Sequence, residues 1–215
     1  MFRIIALERE FGSGGGGIAA ELARRLGWKV WDQQLTAEIA RRAQVTEYAV
    51  ALCDERVDSR LYRLAKTFWR GSYERSLPLA DSKAFDTDSM MAMMEEISES
   101  IAAEGKAVIV GRGAPFFLRD REDTFSVFCY APRDEKIRRL LALGKGREEA
   151  EDLVDNVDKD RAAYIRHYFN AEWPTRSLYH MMINTAVGDE VVIGEILHAM
   201  DTIAAHRAEP VALRA

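Results

Sequence analysis

The sequence predicts an α/β fold in which a parallel sheet is covered by helices on both faces. Two observations carry this. Short, near-continuous apolar runs alternate with stretches of helical spacing, and the runs lack the polar alternation of strands that face water on one side. The first run is followed by a burst of glycine that opens a helix, the usual arrangement at the ligand edge of such a sheet. At 215 residues and roughly 150 residues per domain, one domain with a lid-like insertion is expected. A hydrophobic content of 48% is enough for a sizeable core.

Phe2 to Leu7 is the first buried strand. After Gly12–Gly17, the residues Ile18, Ala19, Leu22, Ala23 and Leu26 share a helix face that closes at Gly27, a natural C-cap. Trp28–Trp31 is a brief second strand with Asp32 at its end. Residues 34–104 read as helical, with Leu35, Ile39 and Ala43 on one face and Met90, Met94, Ile97 and Ile101 on another. The stretch Arg70–Pro78 breaks that pattern. Strands return at Ala107–Val110, before Gly111, and at Thr124–Tyr130, before Pro132. Helical spacing resumes at Ile137, Leu140 and Leu141. A highly charged helix follows from Gly146 to about Phe169, then a last strand at Met181–Asn184 and a last helix from Val191 to about Ala205. The tail beyond Arg207 is expected to fray.

Thirty basic against thirty-five acidic residues leave a formal charge of −5, which argues against duplex nucleic acid as a partner. The two cysteines, Cys53 and Cys129, make no disulfide framework or zinc site, so a reducing cytoplasm is expected. No apolar run approaches the roughly 18 residues that span a bilayer. The start, Met1–Leu7, is too short for a signal peptide and runs into Glu8-Arg9-Glu10.

Three segments fall at carboxyl ends of predicted strands, where such sheets bind ligands: Glu8–Gly17, Asp32, and Gly111-Arg112-Gly113. Gly12-Ser13-Gly14-Gly15-Gly16-Gly17 fits G-x-G-x-x-G, and Asp32 lies twenty residues after Gly12, as in a dinucleotide fingerprint. A Rossmann unit, however, needs its third strand one helix after the second, and about seventy residues separate Asp32 from Ala107. A helical insertion there, with a charged helix before the last strand, is the order expected of nucleoside monophosphate kinases.

Four segments carry a family resemblance: Glu8-Arg-Glu-Phe-Gly-Ser-Gly-Gly15, Trp31-Asp-Gln-Gln-Leu35, Val108-Ile-Val-Gly-Arg112 and Asp158-Lys-Asp-Arg-Ala-Ala-Tyr164. In this order they resemble the cytidylate kinase-like family of P-loop proteins, over roughly Phe2 to Met200. The resemblance implies one P-loop kinase-like domain, 1–207. Its core would be 1–33, 105–145 and 178–207, with a helical monophosphate-binding insertion at 34–104, a mobile lid at 146–170 and a frayed tail at 208–215. It implies ATP and Mg²⁺ as cofactors, a nucleotide and a small phosphate acceptor as partners, and leaves room for a homodimer.

The chain departs from true cytidylate kinases where charge is needed most; members of the cytidylate kinase-like group also tend to lack the loop lysine, often with Arg-Glu where this chain has Gly16-Gly17. In a Walker loop, lysine contacts the β/γ-phosphates and a hydroxyl binds magnesium. Aligned with cytidylate kinases, this chain has Gly15 in place of the lysine, Gly17 in place of Ser/Thr, and Arg9 in place of the first loop glycine. Losing one such cation costs several kcal/mol of transition-state stabilisation. Another group must supply the charge, or turnover is poor.

The resemblance assigns Arg112 to the acceptor phosphate, where a planar guanidinium binds bidentately, and Arg161 to the lid, with Arg166 and Tyr164 behind it. Asp32 orients the acceptor, binds magnesium through water, or caps the next helix. Arg9, Gly12, Ser13, Gly14, Gly15, Gly16, Gly17 and Arg166 form the expected nucleotide-binding set. Glu8 reads as a second metal-linked carboxylate or an ion-pair partner of Arg9, and His167 as structural. The Met90, Met91, Met93 and Met94 cluster reads as pliable core or oligomer contact, and Trp69, Tyr73 and Phe85 flank the break in the insertion. No metal-ligand cluster is expected. The leading reading is a kinase-like phosphotransferase that moves the ATP γ-phosphoryl to a nucleoside monophosphate, cytidylate first, or a similar small acceptor. The alternatives are a catalytically weak or inactive nucleotide-binding regulatory protein and an NAD- or FAD-binding oxidoreductase.

Overall fold

The computed structural model describes residues 1–32, 38, 41, 42 and 87–208. Five strands form one sheet: β1 (Ile4–Arg9), β2 (Lys29–Trp31), β3 (Ala107–Val110), β4 (Thr124–Tyr130) and β5 (Met181–Asn184). Their spatial order is β2-β3-β1-β4-β5, and every pairing is parallel. Ile4 is paired with Ala107 on one side and Thr124 on the other, so β1 has neighbours on both edges. The chain fills one side of β1 with β2 and β3, then crosses to the other for β4 and β5. That reversal opens the ligand crevice at the carboxyl end of β1. Because β3 lies between β1 and β2, the order is not the 3-2-1 of a dinucleotide-binding sheet, and the oxidoreductase reading is withdrawn.

Six helices are described: α1 (Gly15–Leu26), α2 (Thr87–Glu104), α3 (Ala114–Phe117), α4 (Arg133–Ala142), α5 (Arg147–Phe169) and α6 (Asp189–Ala208), with 3-10 turns at Arg176–Leu178 and Thr185–Val187. Strands buried on both faces need apolar residues throughout, and successive side chains go to opposite layers. Ile5, Leu7, Val108, Val110, Phe125 and Val127 pack against Ile18 and Leu22 of α1 and Val192, Ile193 and Ile196 of α6. Ile4, Ala6, Ala107 and Ile109 pack against Met94, Ile97 and Ile101 of α2 and Ala114 of α3. Each fully buried Ile or Leu contributes about 1.5–3 kcal/mol from removal of apolar surface.

The buried side of α5 runs Ala150, Val154, Val157, Arg161, Ile165, the spacing of a single helix stripe. An arginine stands where that stripe calls for a hydrophobe. Residues 33–37, 39–40 and 43–86, which hold most of the expected insertion with Cys53, Trp69, Tyr73 and Phe85, lie outside the described residues, as does the tail from 209.

Candidate functional site

The phosphate-type loop is built by backbone conformation and braced from outside. Gly14 is the N-cap of α1 with φ 81°, a left-handed conformation that costs an L side chain about 1 kcal/mol or more. Ile18 N–H reaches the Gly14 carbonyl at 3.2 Å, leaving the N–H groups of Gly15, Gly16 and Gly17 at the open end of the helix, where aligned peptide dipoles favour an anion. A Cβ added at Gly16 or Gly17 would have nothing within 4 Å, so no side chain packs over these two positions.

Ser13 faces the other way. It is fully buried, and its hydroxyl donates to the Glu10 carbonyl at 2.8 Å. Its own carbonyl accepts from the Thr185 hydroxyl at 2.6 Å and from Arg139 of α4. Arg139 also donates to the Thr185 carbonyl at 2.9 Å and to Asp189 at 3.1 Å. Lys136, one turn earlier, lies 2.6 Å from Glu10 and 3.2 Å from Asp158. Asp158 in turn accepts from Phe11 N–H at 2.8 Å. Two helices and the end of β5 therefore hold the loop through its main chain.

Arg161 donates to the Arg9 carbonyl at 2.8 Å and to Asp158 at 3.0 Å. It is buried, and burial, reinforced by nearby Arg9, lowers its pKa to about 10. Glu8 is buried at the end of β1, accepts from Arg9 N–H at 3.2 Å, and is pushed up by burial against the opposing pull of Arg9 and Arg161. Arg9 Nη2 lies 3.5 Å from Asp32.

The turn after β3 holds three consecutive left-handed residues: Gly111 at φ 67°, Arg112 at 59° and Gly113 at 77°. For arginine this conformation is strained, the kind of cost that persists at functional sites when the surroundings enforce it. Arg112 is 6% exposed, and burial lowers its pKa to about 10; Asp32, Arg9 and Tyr164 are its charged and titratable neighbours. The Tyr164 hydroxyl meets Met91 Sδ at 3.1 Å, joining α5 to α2. Met94 is core and Met91 and Met93 pack against it, as a pliable cluster should.

A cavity of about 820 Å³ opens beside the loop, lined by Gly14, Gly17, Arg138, Leu143, Ala186 and Val191 among others. Leu143 and Val191 on its rim are 78% and 52% exposed. Cys129 is buried and its thiol is pushed up to about 12 by burial, so it offers no nucleophile.

The structure thus brings Arg9, Asp32, Arg112 and Arg161 to the same end of the sheet as the glycine loop. Arg166 and His167 lie on the exposed side of α5. Sequence reasoning missed Arg139 and Thr185, which brace Ser13 from 126 and 172 positions away, and the pairing of Lys136 with Glu10.

No curated protein matches the sequence. Among solved structures, an uncharacterized protein from Eubacterium ventriosum aligns at 20% identity over 94% of this chain and 99% of its own, with a TM-score of 0.63. Shikimate kinase from Bacteroides thetaiotaomicron aligns at 18% identity over 94% and 98%, TM-score 0.51. A sugar kinase from Janibacter sp. aligns at 13% identity over 94% and 95%, TM-score 0.52. These likenesses establish the P-loop kinase fold. Residues 4–187 match the cytidylate kinase-like family, so a glycine loop braced through its main chain, on a sheet of this order, sits in a chain that belongs to that family and has its kinase-like character.

Proposed function

We propose that this protein moves the γ-phosphoryl of ATP, with Mg²⁺, to a nucleoside monophosphate, cytidylate first, or to a similar small acceptor. The observation that carries the reading is the convergence of two anion sites on one sheet edge: the amides of Gly15–Gly17 after β1 and the buried guanidinium of Arg112 after β3. The residues fit the triphosphate, since the helix end is open at Gly16 and Gly17 and the adjoining cavity has an apolar rim for the base. Mg²⁺ is typically held by phosphate oxygens and one or two carboxylates; Asp32, partly exposed at the edge of the crevice, is the carboxylate suited to this.

Within that reading the protein supplies positioning and charge, the two requirements of phosphoryl transfer. The loop amides hold the donor phosphates. Arg112, fixed by its strained turn, holds the acceptor in one orientation. Arg161 fixes the Arg9 carbonyl and so the first half of the loop. When an acceptor oxygen attacks the γ-phosphorus, the bond to the β–γ bridging oxygen breaks and ADP leaves with that electron pair. Arg166, on the exposed side of α5, is the remaining lid cation for the donor phosphates. A cytoplasmic location, where ATP is available, goes with the reading; no described helix is long and apolar enough to cross a membrane.

ADP release measured with ATP, Mg²⁺ and a panel of nucleoside monophosphates and small hydroxylated acids tests the proposal. Turnover with at least one acceptor is expected, and none with any of them overturns it. The absence of the usual lysine at Gly15 and hydroxyl at Gly17 favours a second reading, a regulatory protein that binds nucleotide without transferring phosphate. Calorimetric affinity for ATP that ignores Mg²⁺, together with no turnover, selects it.

A further inference from the structure

The side chain of Arg9 runs through the space that a P-loop lysine would need. A Cβ built on Gly15 would lie 2.7 Å from Arg9 Cβ and 3.1 Å from Arg9 Cγ. Arg9 Cβ is fixed by the main chain of a central strand and cannot swing aside. An arginine at 9 and a lysine at 15 therefore exclude each other. The far end of Arg9 is as closely fitted: Nη1 would stand 2.2 Å from a Cβ on Gly111, and Nη2 lies 3.5 Å from Asp32. The stem crosses the start of α1 and the head reaches the turn that carries Arg112, so the guanidinium sits between the donor loop and the acceptor turn. Nη1 is buried and has no hydrogen-bond acceptor among the described residues. A buried donor without an acceptor calls for an explanation, and one explanation is a missing ligand oxygen.

We infer that Arg9 is the cation that stands in for the absent loop lysine, and that its guanidinium binds the transferring phosphoryl group where donor and acceptor meet. The inference rests on the phosphotransferase reading above. A guanidinium has five N–H donors in a fixed fork, so the Asp32 contact leaves others for phosphoryl oxygens. Gly15 and Gly111 have a shared purpose in this arrangement: one clears the stem, the other the head. The competing account is that Arg9 is only a brace that pairs with Asp32. A brace would not distinguish a triphosphate from a diphosphate.

Calorimetry with ATP and with ADP, both with Mg²⁺, separates the two accounts. The proteins compared are the wild type, Arg9→Gln, Gly15→Lys and the double exchange Arg9→Gly with Gly15→Lys. Arg9→Gln keeps Cβ and Cγ over Gly15 and removes the guanidinium with its charge. The wild type should prefer ATP, and Arg9→Gln should lose that preference by about tenfold or more, as expected for one charge-assisted contact. Gly15→Lys alone should bind ATP worse than the wild type, and the double exchange, which restores the ordinary loop, should regain affinity over it. An unchanged ATP-over-ADP preference in Arg9→Gln, equal affinity for ATP and ADP in the wild type, or no recovery in the double exchange overturns the inference while the phosphotransferase reading stands. A wild type with no affinity for ATP overturns that reading and the inference with it.

Discussion

The Thr185 hydroxyl donates to the Ser13 carbonyl at 2.6 Å, joining the end of β5 to the middle of the glycine loop. The carbonyl is thereby turned away from the crevice, and the amides that follow it are left facing the open end of α1. Thr185→Val keeps the shape and removes the donor, while Arg139 still serves the Ser13 oxygen. A loss of about 1 kcal/mol is expected, the usual net value of one hydrogen bond. In a chain of this size that lowers the melting temperature by about 2–4 °C, and ATP affinity should fall with it.

Arg112→Lys separates charge from geometry. Lysine keeps a cation at the acceptor turn but cannot bind a phosphate through two parallel N–H groups. The acceptor KM should rise by about 10- to 100-fold, the cost of roughly 1.4–2.7 kcal/mol of lost acceptor binding. ATP affinity should stay as in the wild type, because the donor loop is built from other residues. Steady-state kinetics with the acceptor varied, beside calorimetry with ATP, reads both. A fall in ATP affinity equal to the rise in KM would mean that Arg112 does not serve the acceptor end.

Glu8 gives stability a pH dependence of defined sign. Burial raises its pKa in the folded chain above the ordinary 4.5, so between those two values the folded state holds more protons than the unfolded one. Its contribution is complete below pH 4.5 and is lost as pH rises through the raised value. Glu8→Gln cannot ionise, and still offers an oxygen to Arg9 N–H, which the carboxyl accepts at 3.2 Å. The variant should gain on the wild type as pH rises, read as denaturant midpoints from pH 4 to 9. Parallel curves would exclude Glu8 as the group responsible.

The strands were legible because composition alone defines them. Ala107–Val110, Thr124–Tyr130 and Met181–Asn184 coincide with apolar runs that stop at glycine, proline or a polar residue. β2 starts at Lys29, not Trp28, because Trp28 N–H is used by the Ala23 carbonyl to finish α1. α1 starts at Gly15, three residues before its first apolar contact, since glycines have no side-chain periodicity to read. α3, at four residues, is too short for any period. The loop braces were invisible for another reason: Lys136 and Arg139 look like the solvated charges of an ordinary helix, and only the folded chain brings Glu10, Ser13 and Asp158 to them. Arg9, Asp32 and Arg112 could be anticipated because each adjoins a glycine turn or ends a strand, and Arg161 because it stands in the motif Asp158–Tyr164 that carries the family resemblance.

Lys136 is the cation on which the loop's charge balance depends. It stands between Glu10, at 2.6 Å, and Asp158, at 3.2 Å, with its own side chain 9% exposed. Lys136→Met fits the same space and leaves two carboxylates facing each other. Breaking a buried pair typically costs about 3–5 kcal/mol, and about 3 kcal/mol is expected because both carboxylates keep some contact with water. Arg161 still pairs with Asp158, and Ala131 N–H still donates to Glu10 at 3.2 Å, so Glu10 loses its cation and keeps one donor. Salt screens the repulsion between the two carboxylates, so the deficit should shrink as ionic strength rises. Urea unfolding of the two proteins at low and high salt measures this. A deficit that does not change with salt would mean that Lys136 stabilises the loop by packing against Gly12, whose added Cβ would lie 3.0 Å from Lys136 Cβ, and not by charge.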